Sequence, residues 1–322
     1  MAAGLRICAR TCTAAVLLLV AVASATAAPF VVSTGLAGNT YDTMFKQLSD
    51  QCQTKVGSPF IGKPSSGSVE NIERLLNNDV VAAIVQTDVL HFRARTDDMN
   101  RFKVLFALYP EEVHVVALKE RKVSGIVEKV LDMFRGPTIY ASLADLRDRK
   151  VGAWGGSYIT AQNMRLQSNV PFSVTELPNQ IEATAALERG ELDAVFAVGG
   201  SPLGWVQSLD SRFKLLSIGD AEVAKLKGVY RLARVSYARL AATGIQTVST
   251  DALMVTRDYR SPEMVSLLAK VRACFRSSLR ELREQPGNHA KWDLVDPLAM
   301  AKWPMYEPPT AAPRKAPARP KK

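Results

Sequence analysis

The stretch Pro64-Ser-Ser-Gly-Ser-Val-Glu-Asn-Ile-Glu-Arg-Leu-Leu-Asn-Asn-Asp-Val-Val-Ala-Ala-Ile-Val-Gln-Thr-Asp88 reads as turn, helix, buried strand and polar tip. Pro fixes φ and Gly tolerates positive φ, so residues 64–67 are turn chemistry. Ser68 is placed to cap a helix, its hydroxyl accepting from an unpaired first-turn amide. Glu70 and Glu73 then lie near the positive helix end. Val69, Ile72, Leu75 and Leu76 share one face at 3.6-residue spacing. Residues 80–85 are a continuous apolar run, the pattern of a parallel strand covered on both faces. Gln86, Thr87 and Asp88 follow where that strand should end. Open α/β sheets bind ligands at the carboxyl ends of their strands, beside helix N-termini. The same residues also fit an ordinary strand–helix edge with no ligand.

Upstream, residues 30–33 predict a short strand. The small residues of Thr34-Gly-Leu-Ala-Gly-Asn-Thr-Tyr41 then bring backbone amides close to whatever occupies the turn. A helix follows with Tyr41, Met44, Phe45 and Leu48 on one face, and a second strand is expected over 56–61. Downstream, 104–108 and 113–118 read as two strands around Tyr109-Pro-Glu-Glu. The character shifts near Lys119: 119–149 is charged, with a short helix from 143. Residues 151–154 restart the strand pattern, with 155–160 as a loop and a helix to about 168. A strand at 172–176, a helix at 180–189 and a buried strand at 193–198 follow, the last ending in Gly199-Gly-Ser-Pro202. The run from Gly190 to Phe196 resembles that from Asn78 to Ile84 in kind. Two such α/β units with ligand-type loops predict two lobes facing each other. Residues 213–218 and 253–255 are further strands, Pro262 opens a long amphipathic helix, and 292–309 wraps the body as irregular chain.

Residues 1–27 read as a signal peptide: Arg6 and Arg10, an apolar stretch over 14–23, and Ala25-Thr26-Ala27 as a small-residue cleavage site. The mature chain is expected to be periplasmic, exported and soluble. Cys8 and Cys12 leave with the signal, and Cys52 and Cys274 remain. In an oxidising compartment two cysteines suggest one disulfide, against the alternative of two separate buried thiols. The formal net charge of +10 is concentrated at the ends. Residues 308–322 carry Arg314, Lys315, Arg319, Lys321 and Lys322 with no acid, in a Pro- and Ala-rich context too poor in apolar groups to fold. This basic tail either touches an anionic membrane surface or is simply solvated, and composition favours the second. The body between is only weakly basic, so a nucleic-acid role has no support.

Enzyme motifs fail on inspection. Gly57-Ser-Pro-Phe-Ile-Gly-Lys-Pro64 has P-loop spacing, but Pro64 stands where the magnesium-binding hydroxyl belongs. No nucleophile elbow surrounds Ser157 or Ser201. His91, His114 and His289 lack zinc spacing, and His114 reads as a packed or cleft-wall residue. Neither catalysis, metal nor cofactor is expected.

Thr34 to Tyr41, Gly67-Ser-Val-Glu-Asn71, Val85-Gln-Thr-Asp-Val89, Leu108-Tyr-Pro-Glu111 with His114, and Ala197-Val-Gly-Gly-Ser-Pro202 together resemble one family. These are the TAXI-type solute receptors of tripartite ATP-independent periplasmic (TRAP) transporters. The resemblance covers residues 30 to about 278. It implies a type II periplasmic binding protein: two α/β lobes joined by hinge strands with a ligand cleft between them. Lobe I would be 28–118 plus 247–307 and lobe II 119–246, with 115–118 and 248–255 crossing. It further implies capture of a small carboxylate or amino acid such as glutamate or glutamine, delivery to a TRAP permease, and a monomeric receptor. By position the cleft candidates are Thr34, Asn39, Thr40, Tyr41, Ser66, Gly67, Ser68, Gln86, Asp88, Tyr109, Ser157, Tyr158, Thr160, Gly199 and Ser201. Asp88 and Glu70 either meet an amino group or face solvent as helix-start acids. The family's second-lobe loop commonly reads Gly-x-Gly-Ser-Gly-Thr, whereas this chain has Trp154-Gly-Gly-Ser-Tyr-Ile-Thr160, so Trp154 and Tyr158 are expected to narrow the pocket. Rival readings are a periplasmic ligand sensor, a receptor for another transporter class, or an enzyme on the same fold.

Overall fold

The computed structural model describes residues 28–309, except 121, 123, 124, 127–129, 131, 132, 134–138 and 227. The signal-peptide reading of 1–27 and the tail beyond 309 lie outside the described residues. In chain order the strands are β1 (Phe30–Ser33), β2 (Phe60–Lys63), β3 (Ala82–Gln86), β4 (Phe102–Leu118) and β5 (Lys150–Ala153). They continue with β6 (Ser173–Glu176), β7 (Ala194–Gly199), β8 (Phe213–Leu215), β9 (Arg231–Tyr237) and β10 (Ala242–Arg257). The helices are α1 (Thr40–Val56), α2 (Ser68–Leu76), α3 (Thr87–Arg93), α4 (Gly155–Ser168), α5 (Gln180–Glu188), α6 (Gly204–Ser208), α7 (Asp220–Lys225) and α8 (Pro262–Glu284).

Among the described residues the sheet order is β2-β1-β3-β10-β4-β7-β5-β6, with β8 on β4 and β9 on β10. Two strands hold the halves together. The first half of β4 pairs β10 and the second half pairs β7 and β8; β10 pairs β9 early and β3 late. Both read as shorter pieces in the sequence, β4 because Tyr109-Pro-Glu-Glu looks like a turn. Pro110 is accommodated within a strand whose ladder to β10 shifts register between Asp251 and Leu253.

Each half carries its own cores. In the first lobe α1 and α8 cover one sheet face, where Met44, Phe45, Leu48, Leu268 and Phe275 are buried. Ile72 and Leu75 of α2 cover the other with Val85, Val89 and Leu253. In the second lobe Val151, Met164, Phe172 and Phe196 form one core, and Val195, Leu187, Phe213 and Tyr237 the other. The apolar faces read from the sequence are therefore the buried ones: Ile72 and Leu75 are fully enclosed, with Val69 and Leu76 half-buried beside them.

Local readings shift in three places. Val56 is the last residue of α1, and β2 starts only at Phe60. Gly57 terminates α1 at φ 71° with its N–H on the Gln53 carbonyl, so the P-loop-like spacing begins on a helix end. The residue before α2 is Gly67 at φ 116°; Ser68 is the first helical residue, its hydroxyl accepting from the Gln86 amide at 3.0 Å. That hydroxyl locks helix to strand rather than capping the helix. Asn71 does similar work, accepting from Ser33 and Ser65 hydroxyls (2.6 Å each) and donating to the carbonyls of Thr34 and Ile84 (2.5 and 2.7 Å).

Cys52 and Cys274 are bonded, joining α1 to α8 with Cα atoms 5.8 Å apart and 222 residues of separation. A cross-link that closes so long a loop restricts the unfolded chain strongly. Replacing both cysteines by Ser should lower stability by roughly 2–4 kcal/mol, read as a fall in the urea midpoint that reductant reproduces in the native sequence. Equal midpoints would show that the bond adds nothing. Among the described residues no helix is long and apolar enough to cross a membrane.

Candidate functional site

A cavity of about 310 Å³ lies between the two lobes. The first lobe contributes the turn before α1 and that helix's first residues, the turn before α2 with Ser68, Gln86 at the end of β3, and Glu111 midway along β4. From the second lobe come the start of α4, Val198 and Gly199 at the end of β7, and Pro202, Leu203 and Gly204 leading into α6. His289, far along the chain, completes the wall. The first turns of α1, α2 and α4 thus all border the cavity, and unpaired first-turn amides favour negative charge.

Nine sequence candidates line this cavity: Asn39, Thr40, Tyr41, Ser66, Gly67, Ser68, Gln86, Ser157 and Gly199. Ser157 also accepts from the Val198 amide at 3.0 Å, tying α4 to β7. The expected 155–160 loop is helical from Gly155 onward, because Trp154 is already extended (φ −135°, ψ 155°) and the chain turns directly into α4. Trp154 does border the cavity and meets Trp205 edge-on at 5.3 Å.

The other six lie behind the wall. Thr34 is buried, its carbonyl held by Ser65 and Asn71. Tyr109 is buried with its ring edge-on to Tyr41, and its hydroxyl has no partner among the described residues. Tyr158 accepts from Gln162 at 3.0 Å and packs between the cores of the two lobes. The Ser201 amide donates to Glu112 at 2.6 Å. Asp88 and Thr160 meet each other. The Thr160 hydroxyl donates to Asp88 at 2.6 Å, the Tyr230 hydroxyl donates to the same oxygen at 2.8 Å, and all three side chains are buried. Asp88 belongs to the first lobe and its two donors to the second, so this trio clasps the lobes. Burial raises the Asp88 carboxyl above the ordinary aspartate value, while the two hydroxyls pull it back. Glu70 also stays out of the cavity, accepting from the Ser66 amide and hydroxyl and pairing with Arg74 at 2.5 Å. Removing a donor from a buried carboxylate costs about 1–3 kcal/mol. Thr160→Val and Tyr230→Phe should each lower the urea stability by that order, and unchanged midpoints would show the clasp to be idle.

Sequence reasoning did not nominate Glu111 or His289 for the cavity. Locally Glu111 reads as part of the turn-like Tyr109-Pro-Glu-Glu, and only the continuous β4 brings it to the cavity wall. It is 3 % exposed and accepts from the Tyr41 hydroxyl at 2.6 Å. Burial, opposed by that hydrogen bond, raises its carboxyl from the usual glutamate range to about 8. The same contact, after burial itself, holds the Tyr41 hydroxyl well above its ordinary value. Next along the strand, Glu112 pairs with buried Lys291 at 2.9 Å. His289 had no local signal, since only the returning C-terminal chain brings it here. Its Nδ1 accepts from the Lys291 amide at 3.1 Å, leaving Nε2–H as the ring's donor. His114 is fully enclosed against Tyr237, with Nε2 2.7 Å from its hydroxyl, and burial pushes its pKa down to about 4. It is a packed residue.

The chain shares its fold with solved proteins of little sequence similarity. The crystal structure of Tv2483 bound to L-arginine aligns with TM-score 0.51 and 12% identity, over 85% of this chain and 95% of that one. A structure described as a periplasmic transporter aligns with TM-score 0.50 and 10% identity, over 85% and 89%. The architecture is that of type II periplasmic binding proteins: two α/β lobes with crossing strands between them. The model of the NMT1-like family matches residues 21–291, a span that takes in every wall of the cavity. The chain belongs to the NMT1-like family.

Proposed function

We propose that the protein is an extracytoplasmic solute-binding protein that captures a small carboxylate or amino acid, of glutamate or glutamine size, and delivers it to a TRAP-type secondary transporter. The observation that carries this reading is the cavity itself: about 310 Å³, walled by both lobes and bordered by the first turns of three helices. That volume is at the small end of ligand pockets. A carboxylate is served by helix N-termini and by hydroxyl donors such as Ser68 and Thr40. Lobe I comprises 28–118 plus 247–307 and lobe II 119–246, and residues 1–27 direct export of a monomeric receptor to the periplasm. The nine lining candidates contact the solute, while Asp88 and Thr160 hold the closed form. The TRAP assignment rests on the sequence resemblance of the Gly67-Ser-Val-Glu-Asn71 and Gln86-Thr-Asp-Val89 motifs.

The test is to express the full chain in an exporting host, purify it, denature it and identify the released small molecule by mass spectrometry. Tryptophan fluorescence titration with that molecule then reports closure around Trp154. No released solute and no fluorescence response to any amino acid or small carboxylate would overturn the reading. A TRAP permease gene beside this one supports the transport arm, and a sensor kinase gene in its place moves the protein to signalling.

A further inference from the structure

We infer that Glu111 is the acceptor for an ammonium group, so that the cavity selects an amine-bearing solute with no more than one carboxylate over dicarboxylates and amine-free acids. The inference rests on the solute-receptor reading and narrows its ligand.

The charge balance around the cavity carries the argument. Glu111 is its acidic lining residue, and no Lys or Arg side chain borders it among the described residues. The nearby cation, Lys291, is already spent. Its ammonium lies 2.9 and 3.0 Å from the two carboxylate oxygens of Glu112 and 3.0 Å from the Pro110 carbonyl. Glu112 takes the Ser201 amide as well. The groups acting on Glu111 are the Tyr41 hydroxyl from α1, Asp88 from α3, Tyr109 and Glu112 on its own strand and Lys291 from the C-terminal chain. Two acids against one paired cation leave the local field negative. A buried acid in that position lacks a counter-charge, and an ammonium supplies one together with three donors.

The opposite need is met elsewhere. The first turns of α1, α2 and α4 offer partial positive charge to a single carboxylate. A second carboxylate would find no Lys or Arg side chain, only the His289 ring that burial holds toward its neutral form, and would meet Glu111 across a small cavity. The pair of features fits a zwitterion or a cation and disfavours a dianion.

Protonation adds a signature. Burial holds the Glu111 carboxyl up to about 8, so the acid carries its proton in the empty cavity at pH 7. When an ammonium N–H comes to the carboxylate oxygen, the acid's O–H bond breaks and the proton leaves to solvent. Binding an amine-bearing solute at pH 7 therefore releases up to one proton, and binding an amine-free acid releases none.

The experiment uses the full chain stripped of bound solute and titrated calorimetrically at pH 7 in two buffers of different ionisation enthalpy. The probes are the twenty L-amino acids, then the des-amino analogue of the tightest binder, then succinate and glutarate. The expected result is that the des-amino analogue binds about 100-fold more weakly or worse, that the dicarboxylates bind no better, and that the amine-bearing solute releases protons. Glu111→Gln should shrink the amine preference to under about 10-fold and abolish the release. Equal binding of the des-amino analogue or of a dicarboxylate by the native protein would overturn the inference while leaving the receptor reading intact. Silence toward every amino acid and carboxylate would overturn both. The native amine to des-amino ratio decides the matter even if the variant fails to fold.

Discussion

Glu111→Gln should stabilise the protein at pH 8 and leave it unchanged near pH 4.5. The unfolded chain's glutamate ionises near 4.5, whereas the buried carboxyl of the native state holds its proton to about 8. Between those values the native state binds more protons than the unfolded one, so stability falls as pH rises, by up to about 1.4 kcal/mol per unit. Over the whole window the loss is about 3–5 kcal/mol. Gln keeps the oxygen that accepts from Tyr41 and cannot ionise, so the slope disappears. Two other buried groups titrate alongside. Asp88 is shifted upward by its burial, which adds a loss of the same sign as pH rises past the ordinary aspartate range. His114, held down to about 4, works in the other direction. Its unfolded counterpart takes up a proton below about 6.5, so its contribution is present above that pH and lost as pH falls toward 4. The native protein's decline is therefore clearest above about pH 6.5, where the His114 contribution is fully present. Urea unfolding of native and variant chains at half-unit steps reads the Glu111 contribution together with its coupling to Asp88, because His114 cancels in the difference. Parallel curves across the window would show that Glu111 is already ionised in the native state.

The role of Glu111 is not written in its local sequence. The strand–helix alternation is written locally: the apolar runs read at 80–85 and 193–198 form strands at Ala82–Gln86 and Ala194–Gly199, and the helical stripe through Ile72 and Leu75 forms as read. What a site does with a residue depends on what comes from the other side of the sheet. Asp88 has the look of a ligand-binding tip residue, yet Thr160 and Tyr230, 72 and 142 residues away, consume its oxygen. Glu111 has the look of a turn residue after Pro110, yet β4 runs straight through and leaves it facing the cavity. Glu112, its neighbour of identical type, is neutralised by Lys291, 179 residues downstream. Only the fold tells the two acids apart. The helix-start residues were legible because a βα unit fixes where its own ligand edge lies, and that rule does not depend on distant chain.

Gly155→Val should abolish closure and weaken solute binding by about 100-fold or more. Gly155 opens α4 in the second lobe at φ 49°, and a Cβ placed on it would sit 2.7 Å from the Ser66 carbonyl oxygen in the first. That oxygen is backbone and cannot rotate away, and Ser66 is itself tied to Glu70. Any side chain at 155 therefore wedges the lobes apart at the cavity rim. Because a solute drives closure only through contacts present in the closed form, a wedge that forbids those contacts forfeits the binding they provide. About 3 kcal/mol lost corresponds to about 100-fold in Kd. Left-handed backbone geometry adds a cost unrelated to closure, about 1–2 kcal/mol. Gly57→Ala supplies the control: φ there is 71° with nothing within 4 Å of the added atom, away from the cavity. It should lose a similar increment of stability and bind normally. Small-angle scattering gives the decisive readout, since the native chain should contract when the identified solute is added and the Gly155 variant should not. If the variant contracts and binds like the native protein, the approach of α4 to the Ser66 turn is not what limits closure, and the clasp of Asp88 with Thr160 and Tyr230 becomes the place where closing is decided.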